Sequence, residues 1–294
     1  MKRAINHIRH RTKAVILDFS GTTLDAYVLA PAVVFQQVFA EHGVNVTMKD
    51  CREPMGLRKD LHINKMLQIP EVGHAWYSVH GTMPTAEVEG AKLFKDFVPM
   101  QLACLPDYAE LLPGVQETVE NLRRRDIKIG LTTGFTRVMV DVLERHANEQ
   151  GLYFDATVAG DDVQNGARPT PHMLYKNLDK MGINNINEVI KVDDTVSGIG
   201  EGINANCRTV AVSRYSNYMQ ISSMDHEKSL SKEEIEERHR ECRNILRGSG
   251  ADHVVDDITT LPLLIDGLHL IVRACLFRID FMCDSCKWRN TNGI

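Results

Sequence analysis

The strongest constraint in this sequence is a repeated alternation. Short apolar runs end on an acid, a hydroxyl or a glycine, and amphipathic stretches separate them. Ala14-Val-Ile-Leu-Asp18 is the first run. Ile127-Lys-Ile-Gly-Leu-Thr-Thr-Gly134, Asp155-Ala-Thr-Val-Ala159, Glu188-Val-Ile-Lys-Val-Asp-Asp194 and Cys207-Arg-Thr-Val-Ala-Val212 follow. Runs of this kind read as strands buried on both faces, the habit of parallel sheets. Parallel strands need crossover connections, and the helical periodicity of 115–125, 136–149, 171–181 and 197–205 supplies them. The expected fold is α/β, a doubly wound parallel sheet. His253-Val-Val255 reads as one more edge strand.

One block interrupts the alternation. From Pro31 to Gly43, Val34 and Val38, like Phe35 and Phe39, stack at i, i+4. Thr47 and Asp50 then form a capping box, and helical character continues to about Leu105. An inserted helical cap domain explains the break. The expected organisation is a Rossmann-like core of residues 1–28 and 106–270, a cap of 29–105 and a C-terminal tail of 271–294. Residues 25–29 and 105–112 are the expected hinges, since linker positions absorb domain motion.

Composition narrows the function. Hydrophobic residues make up 43%, enough for a sizeable core and too many for a disordered chain. Lys and Arg number 34 against 39 Asp and Glu, which argues against nucleic acid as a partner. The apolar stretch 261–277 is broken by Asp266, His269 and Arg273, so no membrane span is expected. The basic residues 1–13 lead into no apolar segment, which leaves a frayed terminus or a short mitochondrial presequence. Seven scattered cysteines fit a reducing, cytoplasmic compartment rather than a disulfide framework. Cys283 and Cys286 form one C-x-x-C without the second pair that a zinc site needs.

In open α/β sheets ligands bind beyond the carboxyl ends of the strands. Asp18, Thr132 with Thr133, and Asp193 with Asp194 stand there. Acids so placed can hold Mg2+, a hard cation that prefers oxygen ligands. A carboxylate beside it can attack phosphorus. A threonine hydroxyl and Arg168 can hold phosphoryl oxygens, and the Gly21 and Thr22 amides can donate to them. Taken singly, each acid is equally well explained as a helix N-cap. The ordered set is not.

That order, D-x-x-G-T, then T-T-G, R-P and D-D-T, resembles the haloacid dehalogenase-like superfamily. LDFSGTTLDAYVLAPAVVF, CREPMGLRKDLH, IKIGLTTGFTR, ARPTPHMLYKN and VIKVDDTVSGIGEGINA resemble its phosphonoacetaldehyde hydrolase subgroup, and REPMGLRK is specific to that subgroup. The resemblance implies Mg2+-dependent hydrolysis of the C–P bond of a small phosphonate substrate, phosphonoacetaldehyde. It implies Asp18 as nucleophile and Lys59 as the Schiff-base lysine. Asp18, the Ser20 carbonyl and Asp194 are the implied metal ligands. Thr133, Gly134 and Arg168 are the implied phosphonate contacts, and Met55 and His62 the groups around the imine. A homodimer through the cap is also implied.

The residues add physical support. Phosphatases of the superfamily place a second acid two residues after the nucleophile, to protonate an alkoxide. Ser20 stands there and is a poor acid. Met55, Lys59, His62 and Met66 lie at i, i+4, i+7 and i+11, one helix face, and such a face would desolvate the amine. Ser20, where the subgroup usually has alanine, is a mild departure, and three further positions depart. Phe135 replaces a tyrosine. Gly198 replaces an acid, while Asp193 replaces a glycine. A phosphomonoester phosphatase and a non-catalytic binder of phosphorylated metabolites are the alternative readings.

Overall fold

The computed structural model describes residues 11–268. Six strands form one parallel sheet: β1 (Ala14–Leu17), β2 (Lys128–Thr132), β3 (Ala156–Val158), β4 (Val189–Asp193), β5 (Arg208–Val212) and β6 (His253–Val255). Their spatial order is β3-β2-β1-β4-β5-β6. All five pairings are parallel. β1 therefore lies at the point where the chain order reverses, with β2 on one side and β4 on the other. That is where open α/β sheets leave a crevice.

Strand residues alternate between two faces. Val15 and Leu17 pack with Val115, Val119 and Leu122 of α6 (Val115–Arg123). Ala14 and Ile16 pack with Leu174, Leu178 and Met181 of α8 (His172–Met181). Burial of both faces is why these strands read as continuous apolar runs. β6 is an edge strand, as its position in the sequence suggested.

Between β1 and β2 the chain forms α1 (Leu29–Glu41), α2 (Met48–Arg52), α3 (Lys59–Leu67), α4 (Pro70–His80) and α5 (Ala91–Cys104). The Thr47–Asp50 capping box opens α2. Val34, Phe35, Val38 and Phe39 meet Ile63, Met66, Trp76 and Phe97 in an apolar cluster that continues into Phe19, Leu131 and Met139 of the core. The remaining helices are α7 (Arg137–Glu149), α9 (Val196–Asn204), α10 (Met224–Ser229) and α11 (Lys232–Gly248). None of the described helices is long and apolar enough to cross a membrane. The basic N-terminus up to residue 10, the tail and its C-x-x-C lie outside the described residues.

The two chain crossings between core and helical block lie side by side. Leu24 bridges Leu111, and the Leu112 amide donates to the Thr23 carbonyl at 2.9 Å. In the first crossing Asp25, Tyr27 and Val28 have φ of 52°, 65° and 56°. Positive φ is costly for a β-branched residue, about 1–3 kcal/mol. The Asp25 carboxylate fixes the crossing by accepting from the Leu29 and Ala30 amides at 2.9 and 3.1 Å, which caps α1.

Burial pushes the Asp25 carboxyl up to about 6, against the opposing pull of the Ala30 amide. A carboxyl raised in the fold binds more protons folded than unfolded, so stability falls as pH rises from its unfolded value to about 6. Above that window the buried charge is a net cost. Asp25→Asn keeps an accepting oxygen without the charge and is expected to match or exceed the parent in urea unfolding at pH 7.5. Asp25→Ala is expected to lose about 1–2 kcal/mol.

Candidate active site

Asp18 follows β1 directly, and the turn after it is closed by its own backbone. The Thr23 hydroxyl donates to the Asp18 carbonyl at 2.9 Å. The Gly21 amide donates to Leu24 and the Thr22 amide to Phe19, at 2.8 and 3.2 Å. These two amides are therefore occupied, contrary to the expectation that they receive phosphoryl oxygens. Gly21 and Thr22 instead line a separate small cavity with Leu112, Tyr215 and Asp257. The Thr22 hydroxyl faces Asp194 Oδ1 at 3.4 Å. A five-residue span that satisfies itself leaves nothing in the sequence to show that its amides are taken.

Ligand oxygens of Asp18, Asp193 and Asp194 lie within 4.8 Å of one another, all buried. The Ser20 carbonyl accepts no hydrogen bond from the described residues. Burial, then Asp193 and Asp18, pushes the Asp194 carboxyl well above the usual range. Burial also raises Asp18, although Arg168 opposes it. Asp193 behaves differently. Its burial is outweighed by Arg168 and Lys191, which hold it low.

Arg168 is the hub of this cluster. Its guanidinium pairs with Asp18 at 2.9 Å, Asp193 at 3.1 Å and Glu201 at 3.2 Å, and also donates to the Thr132 carbonyl. Lys191 on β4 adds contacts to Asp193 at 2.9 Å, Glu201 at 3.5 Å and the Thr132 hydroxyl at 3.0 Å. Sequence reasoning missed Lys191 and Glu201. The available signal was a lysine inside the apolar run of β4 and a glutamate on the glycine-rich α9. Four buried carboxylates thus face two buried cations, Arg168 and Lys191. The three clustered carboxylates of Asp18, Asp193 and Asp194, as hard oxygen donors, fit one divalent cation such as Mg2+.

Gly198 and Asp193 are explained together. A Cβ at Gly198 would lie 2.0 Å from Asp193 Cγ. The Asp193 carboxylate occupies the volume that a side chain at 198 would need. The two departures from the subgroup pattern are therefore one spatial exchange.

The helical block supplies the other wall. Met55 does not belong to the helix that carries Lys59. Pro54 and Gly56, the latter at φ 90°, interrupt the chain before α3 begins at Lys59. The four-residue face expected from spacing reduces to Lys59, His62 and Met66. His62 is fully buried, and burial holds it well below its ordinary value. Its Nε2 meets the Cys51 carbonyl at 2.9 Å and its ring stacks on Phe35 at 3.9 Å, so it does not line the site. Met55 does, from the preceding turn.

Lys59 is buried, with Nζ 4.5 Å from the Phe135 ring centroid and 5.8 Å from that of Phe35. Burial lowers its amine to about 8, despite the opposing pull of Asp18 and Asp25. Its place in the first turn of α3 acts in the same direction, because the helix N-terminus disfavours a cation. Asp18, Ser20, Met55, Lys59, Thr133 and Arg168 line one cavity of about 20 Å³, together with Gly134 and Phe135. That volume holds about one water molecule. A Cβ at Gly134 would lie 2.4 Å from the Leu57 carbonyl, so a glycine there lets the two walls meet.

The Asp193–Gly198 exchange is testable by stability alone. Gly198→Ala is expected to lose about 1–3 kcal/mol in urea unfolding, because its methyl group overlaps a fixed carboxylate. Asp193→Gly itself loses stability, because Arg168 and Lys191 lose a buried partner, but in that background Gly198→Ala should add little further loss. A Gly198→Ala loss of the same size in both backgrounds would refute the spatial link.

Comparison with known proteins shows the family. Residues 15–212 match the family model described as haloacid dehalogenase-like hydrolase. A phosphonoacetaldehyde hydrolase of Bacillus thuringiensis is 36% identical over 256 residues, 87% of this chain and 96% of the relative. One from Hahella chejuensis is 38% identical over 260 residues, 86% of this chain and 85% of its own. The crystal structure of a phosphonoacetaldehyde hydrolase-like protein from Oleispira antarctica superposes with a TM-score of 0.85 at 32% identity, covering 90% of this chain and 95% of that one. On its sequence and its fold, the chain belongs to the phosphonoacetaldehyde hydrolase family of haloacid dehalogenase-like hydrolases.

Proposed function

We propose that this chain hydrolyses the carbon–phosphorus bond of phosphonoacetaldehyde, giving acetaldehyde and phosphate. The observation that carries the proposal is the pairing of a desolvated lysine amine with a strand-end carboxylate, Lys59 and Asp18, in one small cavity. A simple phosphate ester needs no amine. A phosphonate does, because its leaving group is a carbanion.

The neutral Lys59 amine adds to the aldehyde carbon, and loss of water gives an imine. Protonated, that imine is an electron sink. An Asp18 oxygen attacks phosphorus, the P–C bond breaks, and its electron pair passes into the imine to form an enamine. Water then cleaves the aspartyl phosphate, releasing phosphate and restoring the carboxylate. Protonation of the enamine at carbon and hydrolysis of the imine release acetaldehyde and free Lys59. One water is consumed overall. Ser20 suits this course, since no alkoxide requires an acid at that position.

Thr133 and Arg168 are placed to hold phosphonate oxygens. Mg2+ held by Asp18, the Ser20 carbonyl and Asp194 would offset the charge of two anions brought together. Met55 and the Phe135 ring keep water from the Lys59 amine. Phenylalanine does this without a hydroxyl, so the tyrosine typical of the subgroup is not needed for desolvation.

The deciding assay is Mg2+-dependent acetaldehyde release from phosphonoacetaldehyde, coupled to NADH oxidation. Lys59→Arg is expected to lower kcat by at least about a thousandfold, because a guanidinium cannot form the imine. Substantial turnover in that variant would overturn the mechanism. Turnover of generic phosphate esters that survives loss of Lys59 would identify a phosphatase instead.

The pH profile gives an independent check. The amine must be neutral to attack, and it loses its proton near 8. From pH 7 upward kcat/KM is expected to rise and level off near that value, with a slope of about tenfold per unit on the acid side. A profile flat from pH 6.5 to 9 would show that Lys59 deprotonation does not limit the reaction.

A further inference from the structure

Arg52 takes no part in the proposed chemistry, yet its guanidinium joins three segments of the chain. It is 6% exposed and closes α2. One terminal nitrogen donates to the Tyr27 carbonyl at 2.8 Å and to the backbone and side-chain oxygens of Asn217 at 2.9 and 3.0 Å. The other donates to the Ile221 carbonyl at 2.5 Å. Tyr27 belongs to the strained first crossing, and Asn217 and Ile221 to the loop after β5. Every acceptor is a neutral oxygen. Burial lowers the guanidinium to about 10, while the Asp25 and Asp194 carboxylates act on it through space without a hydrogen bond, so what the hydrogen bonds themselves supply is position.

Asn217 carries the contact inward. Its side-chain nitrogen donates back to the Arg52 carbonyl at 3.1 Å, which clamps the pair from both sides. Its backbone N–H donates to Asp194 Oδ2 at 3.1 Å, and the neighbouring Ser216 hydroxyl donates to the Asp194 carbonyl at 2.8 Å. Beside the clamp, a cavity of about 360 Å³ separates α2 from this loop, with Met48, Lys49, Tyr218 and Ser222 in its walls. Close packing does not weld this seam. The hydrogen bonds of Arg52 cross it.

We propose that Arg52 is a latch that couples the seating of the cap to the cation site. With the cap seated, Arg52 fixes the Asn217 loop, and the loop's amide orients Asp194. With the cap lifted, Arg52 leaves with α2 and Asp194 loses its fixed donor. Arg52 is thus a positioning residue. The coupling is reciprocal, so a bound cation favours the seated cap by the same factor. The inference rests on the reading above in one respect, that Asp194 is a ligand of the divalent cation.

The test is Mn2+ binding to the full chain, followed by the electron paramagnetic resonance of the free ion. Arg52→Met is expected to raise the Mn2+ Kd by about 5-fold or more, although Arg52 touches no ligand oxygen. Arg52→Lys, which reaches only some of the acceptors, should fall between. Asn217→Ala should raise the Kd too, and the double variant should be no weaker than the worse single one, because both break the same link. Should Arg52→Met fail to fold, Arg52→Lys and Asn217→Ala carry the same comparison. A purely structural role would lower the Tm and leave the Kd within about twofold of the parent, and that result overturns the latch. Asp194→Asn separates the two readings. Lost Mn2+ binding there with unchanged binding in the Arg52 variants refutes the latch alone. Unchanged binding in Asp194→Asn refutes the ligand assignment and the latch with it.

Discussion

The buried guanidinium of Arg168 is the interaction on which the rest of the site depends. Asp18, Asp193 and Glu201 converge on it from β1, β4 and α9. Removing one partner of a buried ion pair typically costs about 3–5 kcal/mol, because the other charge is left without compensation. Here one cation serves three carboxylates, and Lys191 shares two of them. The arrangement keeps Asp193 ionised and occupied, while burial raises the Asp18 and Asp194 carboxyls, which lie beside it in one cluster of oxygens. A scaffold that neutralised every acid would leave no affinity for a divalent cation. One that neutralised none would not stay folded.

The same division explains what the sequence could reveal. The strands were legible because the sheet is covered on both faces, which forces unbroken apolar runs at β1, β2, β4 and β5. The placement of Asp18, Thr133 and Asp194 followed from the ends of those runs. Lys191 and Glu201 were hidden because a charged residue inside a buried strand or helix has no periodic signature. Only the partners reveal why it is tolerated. Met55 was placed on the Lys59 helix for a different reason. Spacing assumes a continuous helix, and Pro54 with Gly56 ends that assumption one turn too early. The Gly21 and Thr22 amides were misassigned because turn hydrogen bonding depends on dihedrals that composition does not specify.

Departures from a family's pattern are better judged in space than one at a time. Gly198 alone suggests a weakened cation site, and Asp193 alone suggests an extra acid. The 2.0 Å separation between a Cβ at 198 and the Asp193 carboxylate makes them alternatives for one volume. The carboxylate count near the cation site is preserved, although the charge now arrives from the end of β4 and is held by Arg168 and Lys191. Phe135 is a similar case. Its ring lies against the Lys59 amine, and desolvation is a property of the ring, with or without a hydroxyl.

The proposed reaction includes a step in which the helical block lifts from the sheet to admit substrate, because the space beside Lys59 and Asp18 is only about 20 Å³ here. In that open state Lys59 meets water, and its amine returns toward the ordinary lysine range, where it is protonated and inert. Closure reverses this. It buries the amine against Phe135 and brings its value down to about 8. Activation of the nucleophile and sequestration of the substrate are therefore one conformational step. The positive φ values at Asp25, Tyr27 and Val28 lie where the chain first crosses from the core to the helical block. A crossing that stores strain when seated needs compensating contacts, and the Arg52 bond to the Tyr27 carbonyl is one of them.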